Sequence, residues 1–256
     1  MGASRVASWL VFVGGCNVAW GIEKVGPPPT CAQLTAHDED ADGVTDACDD
    51  CPGIPDPMQQ DGDGDGVGDA CDPSTDADQI AFFESFAETD SGASWTINGG
   101  PWGFHDDAAV YTVTSNSSPA QIEATIPAIA PVRVEAVVTI DHIDLQGSML
   151  EVRAEGGVGC GVIRHDSTPI DMVRIETAGG ASSNESAFPA LVGGERLRIT
   201  LSCGTSGRAE CNVENLGDST VGGVKLAVPS SAGTVGVLDN GIPTHVEYVA
   251  VYASGP

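Results

Sequence analysis

The chain has 256 residues and a formal net charge of −27, with 37 acidic side chains against 10 basic ones. A polyanion of this kind does not seek nucleic-acid phosphates, whose capture depends on lysine and arginine; its natural counterparts are metal cations and basic surfaces. The 33 glycines and 16 prolines are poor material for long helices and suit short strands joined by turns, and eight cysteines point to an oxidising compartment.

The N-terminal stretch "MGASRVASWLVFVGGC" places one arginine before an apolar run from Val6 to Val13, followed by Gly14, Gly15 and Cys16. That order of charge, short apolar run and small residues is an export signal. The run is about half of the ~20 residues needed to span a bilayer, so no retained membrane helix is expected. Cys16 behind two glycines resembles a bacterial lipobox, with Val13 where leucine is commonest. The resemblance implies a signal over residues 1–15 and a mature chain lipidated at Cys16. The protein is then exported to the outer membrane or cell surface, touching the membrane only through its anchor. An ordinary secretory signal cut nearby would release it instead. Residues 16–36 contain Pro27, Pro28 and Pro29 and read as a stiff tether.

Residues 37–78 form the next segment. "DEDADGVTDACD" (Asp38 to Asp49) and "DGDGDGVGDACD" (Asp61 to Asp72) repeat at a period of 23, with nine of twelve positions identical. Residues 36–78 hold 15 acidic groups and no lysine or arginine. Two carboxylates ~5 Å apart repel by about 1 kcal/mol in water, and by several times that where water is partly excluded. A compact form of this segment therefore needs cations. Calcium takes six to eight oxygens from carboxylates, carbonyls and water. Aspartates at alternate positions followed by a glycine let a short loop turn its carboxylates inward. The expected ligands are Asp38, Asp40, Asp42 and Asp46 with Asp49 closing and a carbonyl near Val44, and in the second copy Asp61, Asp63, Asp65, Asp69 and Asp72 with a carbonyl near Val67.

An EF-hand would need flanking helices and usually a glutamate at the twelfth loop position. Here Asp49 and Asp72 stand at that position, Pro52 and Pro73 follow, and no amphipathic periodicity flanks either loop. Dockerin loops lead into leucine-bearing helices, and nonapeptide calcium rolls need a G-G-x-G-x-D rhythm; neither is present. A zinc site at Cys48 and Cys51 lacks a second C-x-x-C or a paired histidine. The stretch closely resembles the thrombospondin type 3 repeat. The matching features are the aspartate ladder, the C-D-x-C-P corner from Cys48 to Pro52, and "DPMQ" before the second ladder. Asp50 and Asp56 replace the family's usual asparagines. The resemblance implies an irregular, helix-poor segment wound around calcium and pinned by disulfides between successive repeats. By position the pairs would be Cys51–Cys71 and Cys31–Cys48, each worth about 3 kcal/mol on the chain-entropy model.

Residues 79–256 change to bursts such as "VRVEAVVTI", "RLRITLSC" and "VEYVAVYA", with apolar or β-branched residues at every second position and Gly, Asn, Asp, Ser or Pro between bursts. That is an antiparallel β-sandwich of ten to thirteen strands. The opening "FFESFAETDSGASWTINGGPWGFHDDAAVYT" and the closing "GTVGVLDNGIPTHVEYVAVYA" resemble the concanavalin A-like jelly rolls, laminin G-like and lectin-like modules included. The resemblance implies that a first strand (Ile80 to Phe86) lies beside the last (Val246 to Tyr252). Cys203 and Cys211 flank an expected hairpin turn and are expected to bridge adjacent strands, with Cys160–Cys211 as the competing pair. Trp95, Trp102, Phe104 and Tyr111 read first as core and second as a sugar platform, and Asp106 and Asp107 as a further cation candidate.

The expected fold is mostly β, a jelly-roll sandwich behind an irregular, disulfide-pinned repeat segment. The expected function is calcium binding at the cell surface, with a sandwich that binds carbohydrate or matrix protein in an adhesion-type role. No enzyme activity is expected. The competing classes are a divergent glycoside hydrolase using Glu151 and Glu155, which stand four apart on a strand face without a central aspartate, and a purely structural envelope lipoprotein.

Overall fold

The computed structural model describes residues 37–72, 78–87, 95–113, 119–126, 132–143, 146–154, 157–165, 171–177, 180–204, 207–227 and 234–254. The export signal, Cys16, the tether and Cys31 lie outside them. Two antiparallel sheets face each other. One runs in the order β13 (Thr220–Ala227), β12 (Arg208–Asn215), β11 (Arg196–Gly204), β6 (Val132–Ile140), β15 (Thr244–Ser254), β4 (Ala108–Tyr111), β3 (Trp102–His105). Its eighth strand, β1 (Asp78–Glu84), pairs with the C-terminal half of β15, so first and last strands are neighbours as the jelly-roll likeness implies. The other sheet runs β10 (Ser183–Phe188), β9 (Asp171–Glu176), β8 (Val158–Arg164), β7 (Met149–Ala154), β14 (Thr234–Asn240), β5 (Ala120–Thr125), β2 (Trp95–Asn98).

Alternation builds this sandwich. In "RLRITLSCG" Leu197, Ile199 and Leu201 turn inward and are fully buried, while Arg196 and Arg198 turn outward, because successive strand side chains point to opposite faces. Fully burying each such aliphatic contributes about 1.5–3 kcal/mol. The aromatics belong to the same core: Phe86 lies 5.5 Å from Trp95 and 5.8 Å from Phe104, and Trp102 lies 5.2 Å from Tyr111. Asp106 and Asp107 form the turn between β3 and β4, both at positive φ, as a two-residue hairpin loop requires.

The described residues form fifteen strands, against the ten to thirteen expected. The one with least signal is β10, whose "SNESAF" has no apolar alternation and sits exposed at a sheet edge. Of the two pairings open to Cys211, the competing one with Cys160 forms, and the Cys203–Cys211 bridge does not. On the ladder Cys203 faces Ala209 and Cys211 faces Leu201, so the two are not opposite one another. Cys211 points between the sheets and bonds Cys160 of β8, with Cα atoms 5.2 Å apart. That disulfide joins the two sheets, and Cys203 is a buried free thiol.

The repeat segment forms a third layer on the outer face of the eight-stranded sheet. The Cys51–Cys71 disulfide forms, and Cys48 is also disulfide-bonded, to a partner outside the described residues. Cys51, Cys71 and Val67 close a small core with Val137, Tyr248, Ala250 and Tyr252, the outward residues of β6 and β15. Arg133 Nη1 donates to the carbonyl of Cys71 at 3.0 Å, and its guanidinium lies 4.8 Å from the centroid of the Tyr252 ring. The Tyr248 hydroxyl donates to Glu135 Oε1 at 2.7 Å. A β-carbon at Gly53 would fall 2.5 Å from the Tyr248 ring, so glycine is what lets the repeat backbone lie flat on the sheet. The segment is thus seated on the sandwich rather than leading away from it.

Candidate metal centres

The two aspartate loops fold by one scheme. In the first, Asp38 Oδ2 accepts from Gly43 N at 2.9 Å, Asp42 Oδ1 from Val44 N at 2.8 Å, and Asp46 Oδ1 from Glu39 N at 2.8 Å. In the second, Asp61 Oδ2 accepts from Gly66 N at 3.0 Å, Asp65 Oδ1 from Val67 N at 2.8 Å, and Asp69 Oδ1 from Gly62 N at 2.8 Å. The turn glycines match as well, Gly43 at φ +98° and Gly66 at φ +95°, a region that side chains with a β-carbon avoid.

This scheme gathers Asp38, Asp40 and Asp42, and separately Asp61, Asp63 and Asp65, so that one carboxylate oxygen from each lies within 4.8 Å of the others in its triplet. Asp72 joins a third group with Asp65 and Asp78. Asp46 and Asp69 stand outside the triplets and hold the loop backbone instead. Asp49, expected to close the first loop, accepts from Cys51 N at 2.7 Å and Gln59 Nε2 at 2.8 Å, which fixes the corner before Pro52. Val44 and Val67 donate their N–H groups to the ladders, and the Val67 side chain plugs the core against the sheet. Asp78 was not legible as a site residue, because in sequence it reads only as the boundary of the first strand.

Burial raises the Asp40 carboxyl to about 6 and that of Glu39 to about 8, the latter assisted by Glu247 and Asp46. Asp61 is lowered by the N–H groups of Gly64 and Gly66. Asp40 Oδ2 is buried without a hydrogen-bond partner. Carboxylates gathered at these distances, all hard oxygen donors with no lysine or arginine in residues 37–72, suit a hard divalent cation.

A second polar region lies on the outer face of the seven-stranded sheet. Glu151 of β7 is fully buried there; its Oε2 accepts from Arg153 Nε at 3.2 Å and Nη2 at 2.9 Å, and its Oε1 has no partner. Burial raises its carboxyl above the usual range. Arg153 Nη2 also reaches Glu176 Oε1 at 3.1 Å. Glu155, the other half of the pair a hydrolase would need, lies outside the described residues.

No family model and no curated protein matches the chain. Solved structures match the fold, and it is that of the legume-lectin-like jelly-roll sandwiches. The carbohydrate recognition domain of Emp47p aligns with TM-score 0.51 and 8% identity, over 72% of this chain and 100% of that one. The VIP36 exoplasmic/lumenal domain in its Ca2+/Man3GlcNAc-bound form aligns with TM-score 0.50 and 10% identity, over 64% and 85%. A mutant of the GH43 protein BlXynB from Bacillus licheniformis aligns with TM-score 0.51 and 9% identity, over 68% of this chain and 39% of that one. These neighbours include carbohydrate-binding domains and glycoside hydrolases, and at such identity they establish the fold alone.

Proposed function

We propose that the chain is an exported calcium-binding protein of the cell surface whose lectin-like sandwich binds carbohydrate in an adhesion-type role. The observation that carries the calcium reading is the duplicated loop: two ladders with the same hydrogen-bond scheme bring three carboxylates together each. Asp38, Asp40 and Asp42 would hold one ion, Asp61, Asp63 and Asp65 another. The resemblance to thrombospondin type 3 repeats supports calcium over other divalent ions. Bound calcium supplies the positive charge that the segment lacks. The loops then keep Val67, Cys51 and Cys71 seated on Tyr248 and Tyr252, so the metal's role is structural.

The carbohydrate reading rests on the fold shared with the Emp47p carbohydrate recognition domain and with the glycan-bound VIP36 domain. Glu151 is covered and held by Arg153, an arrangement that does not suit a catalytic carboxylate. Calorimetry of the full-length oxidised protein with calcium tests the metal claim beside an Asp40→Asn, Asp63→Asn double variant. Saturable binding that the variant loses supports it. No binding, with protease digestion unchanged by EDTA, overturns it.

A further inference from the structure

Strands β7, β14 and β5 lie side by side, and the register aligns three residues across them: Arg153 opposite Gly236, and Gly236 opposite Glu123. Neighbouring strands are about 4.8 Å apart, so the backbone positions of Arg153 and Glu123 stand about 10 Å apart with a bare glycine between them. A cavity of about 260 Å³ occupies that gap, lined by Gln121, Glu123, Arg153, Thr234 and Gly236 among others. A β-carbon at residue 236 would meet Ile122 O at 2.6 Å and Gln121 Nε2 at 3.2 Å, so a side chain there would collide with β5 and displace Gln121.

The opposite charges do not close on each other. Arg153 is drawn to Glu151 and Glu176 by its Nε and Nη2 groups, and its Nη1 protons enter no hydrogen bond among the described residues. Glu123 Oε2 accepts from Asn98 Nδ2 at 3.3 Å, leaving acceptor capacity on the carboxylate. The slot therefore offers donors on one wall, acceptors on the other, and an amide and a hydroxyl between them. Its volume lies just under the roughly 300 Å³ at which sites for drug-sized ligands begin, which suits one ring.

We infer that this row, Glu123–Gly236–Arg153 with Gln121 and Thr234, is a subsite for one neutral sugar ring of an oligosaccharide. Ring hydroxyls donate to Glu123 and accept from Arg153 Nη1 and Gln121 Nε2. An anionic sugar would meet Glu123 and the carboxylates behind Arg153, and a cationic one would meet Arg153. The inference rests on the carbohydrate reading above and assigns it a place on the molecule.

Titration of the full-length, calcium-loaded protein with neutral hexasaccharides (xylo-, cello- and manno-) beside a galacturonate hexamer and a chitosan hexamer tests it, read by calorimetry and ligand-observed NMR. A neutral hexasaccharide should bind, and Glu123→Gln and Gln121→Ala should each weaken it about tenfold or more, as expected for lost hydrogen bonds to a charged or buried partner. Melting temperature and calcium binding of both variants should match the parent. Neutral-sugar binding that both variants retain overturns the subsite while leaving the carbohydrate reading intact. Preference for either charged hexamer overturns the neutral class. No binding by the parent overturns the subsite and the carbohydrate reading together.

Discussion

Replacing Tyr248 by phenylalanine separates a repeat that is seated on the sheet from one that is merely tethered to it. Tyr248 is 1% exposed although it points away from the sandwich core, because Gly53 and the repeat lie over it. Its ring stays packed against Phe83, 5.5 Å away, in the variant, so the change removes one hydroxyl. That hydroxyl donates at 2.7 Å to Glu135, which is fully buried and otherwise held by Arg133 and Arg198. A hydrogen bond to a buried charged group contributes about 1.5–3 kcal/mol. For a chain of this size each kcal/mol moves the melting temperature by about 2–4 °C, so Tyr248→Phe should lower it by about 3–12 °C in calcium. Calorimetry reads the shift, and limited proteolysis of residues 37–72 should accelerate in parallel. A loose repeat would leave the phenol to water, where substitutions fall within about 0.5 kcal/mol. A melting temperature within about 1 °C of the parent would therefore refute the seated arrangement.

The metal-free protein should respond to pH in the opposite sense to most acidic proteins. Burial raises Glu39 to about 8 and Asp40 to about 6, from ordinary values of 4.5 and 3.8. The folded state thus holds more protons than the unfolded chain between about pH 4 and 8, and stability falls as pH rises through that window. Melting curves in EDTA should drop from pH 5 to pH 8, with calcium restoring most at pH 8; a flat or rising EDTA profile contradicts this. Gly66→Ala forces a β-carbon onto φ +95° and should cost more than about 1 kcal/mol while weakening one class of calcium sites by titration. Removing the inter-sheet disulfide with Cys160→Ala and Cys211→Ala opens a 51-residue loop and should cost about 4 kcal/mol in denaturant unfolding. Cys203, its thiol raised by burial to about 11, should resist alkylation in the native protein, and peptide mapping that finds it disulfide-bonded would sink the assignment.

Strand periodicity in "RLRITLSC" or "VEYVAVYA" was legible because side-chain direction alternates with period two whatever the fold. The aspartate register was legible because a loop that turns three carboxylates inward needs them at fixed spacing, with glycine after the third. Other features were left open or unmarked by the sequence. The partner of Cys211 depends on which strands the sheets bring face to face, and a ladder neighbour is the nearer candidate by sequence alone. Residues such as Tyr248, Ala250 and Glu135 alternate as an ordinary solvent-facing row would, so nothing local marks them as a second interface. The row from Glu123 through Gly236 to Arg153 joins segments more than 80 positions apart.

The sequence by itself determined that this chain is β-rich, acidic, and built with two equivalent ladders, since those properties are written in composition and local spacing. The tertiary structure alone decided that the ladders lie on the eight-stranded sheet, that a disulfide ties the two sheets together, and that a glycine opens a polar slot on the opposite face. Those outcomes depend on strand order and register, which join residues that no local pattern connects.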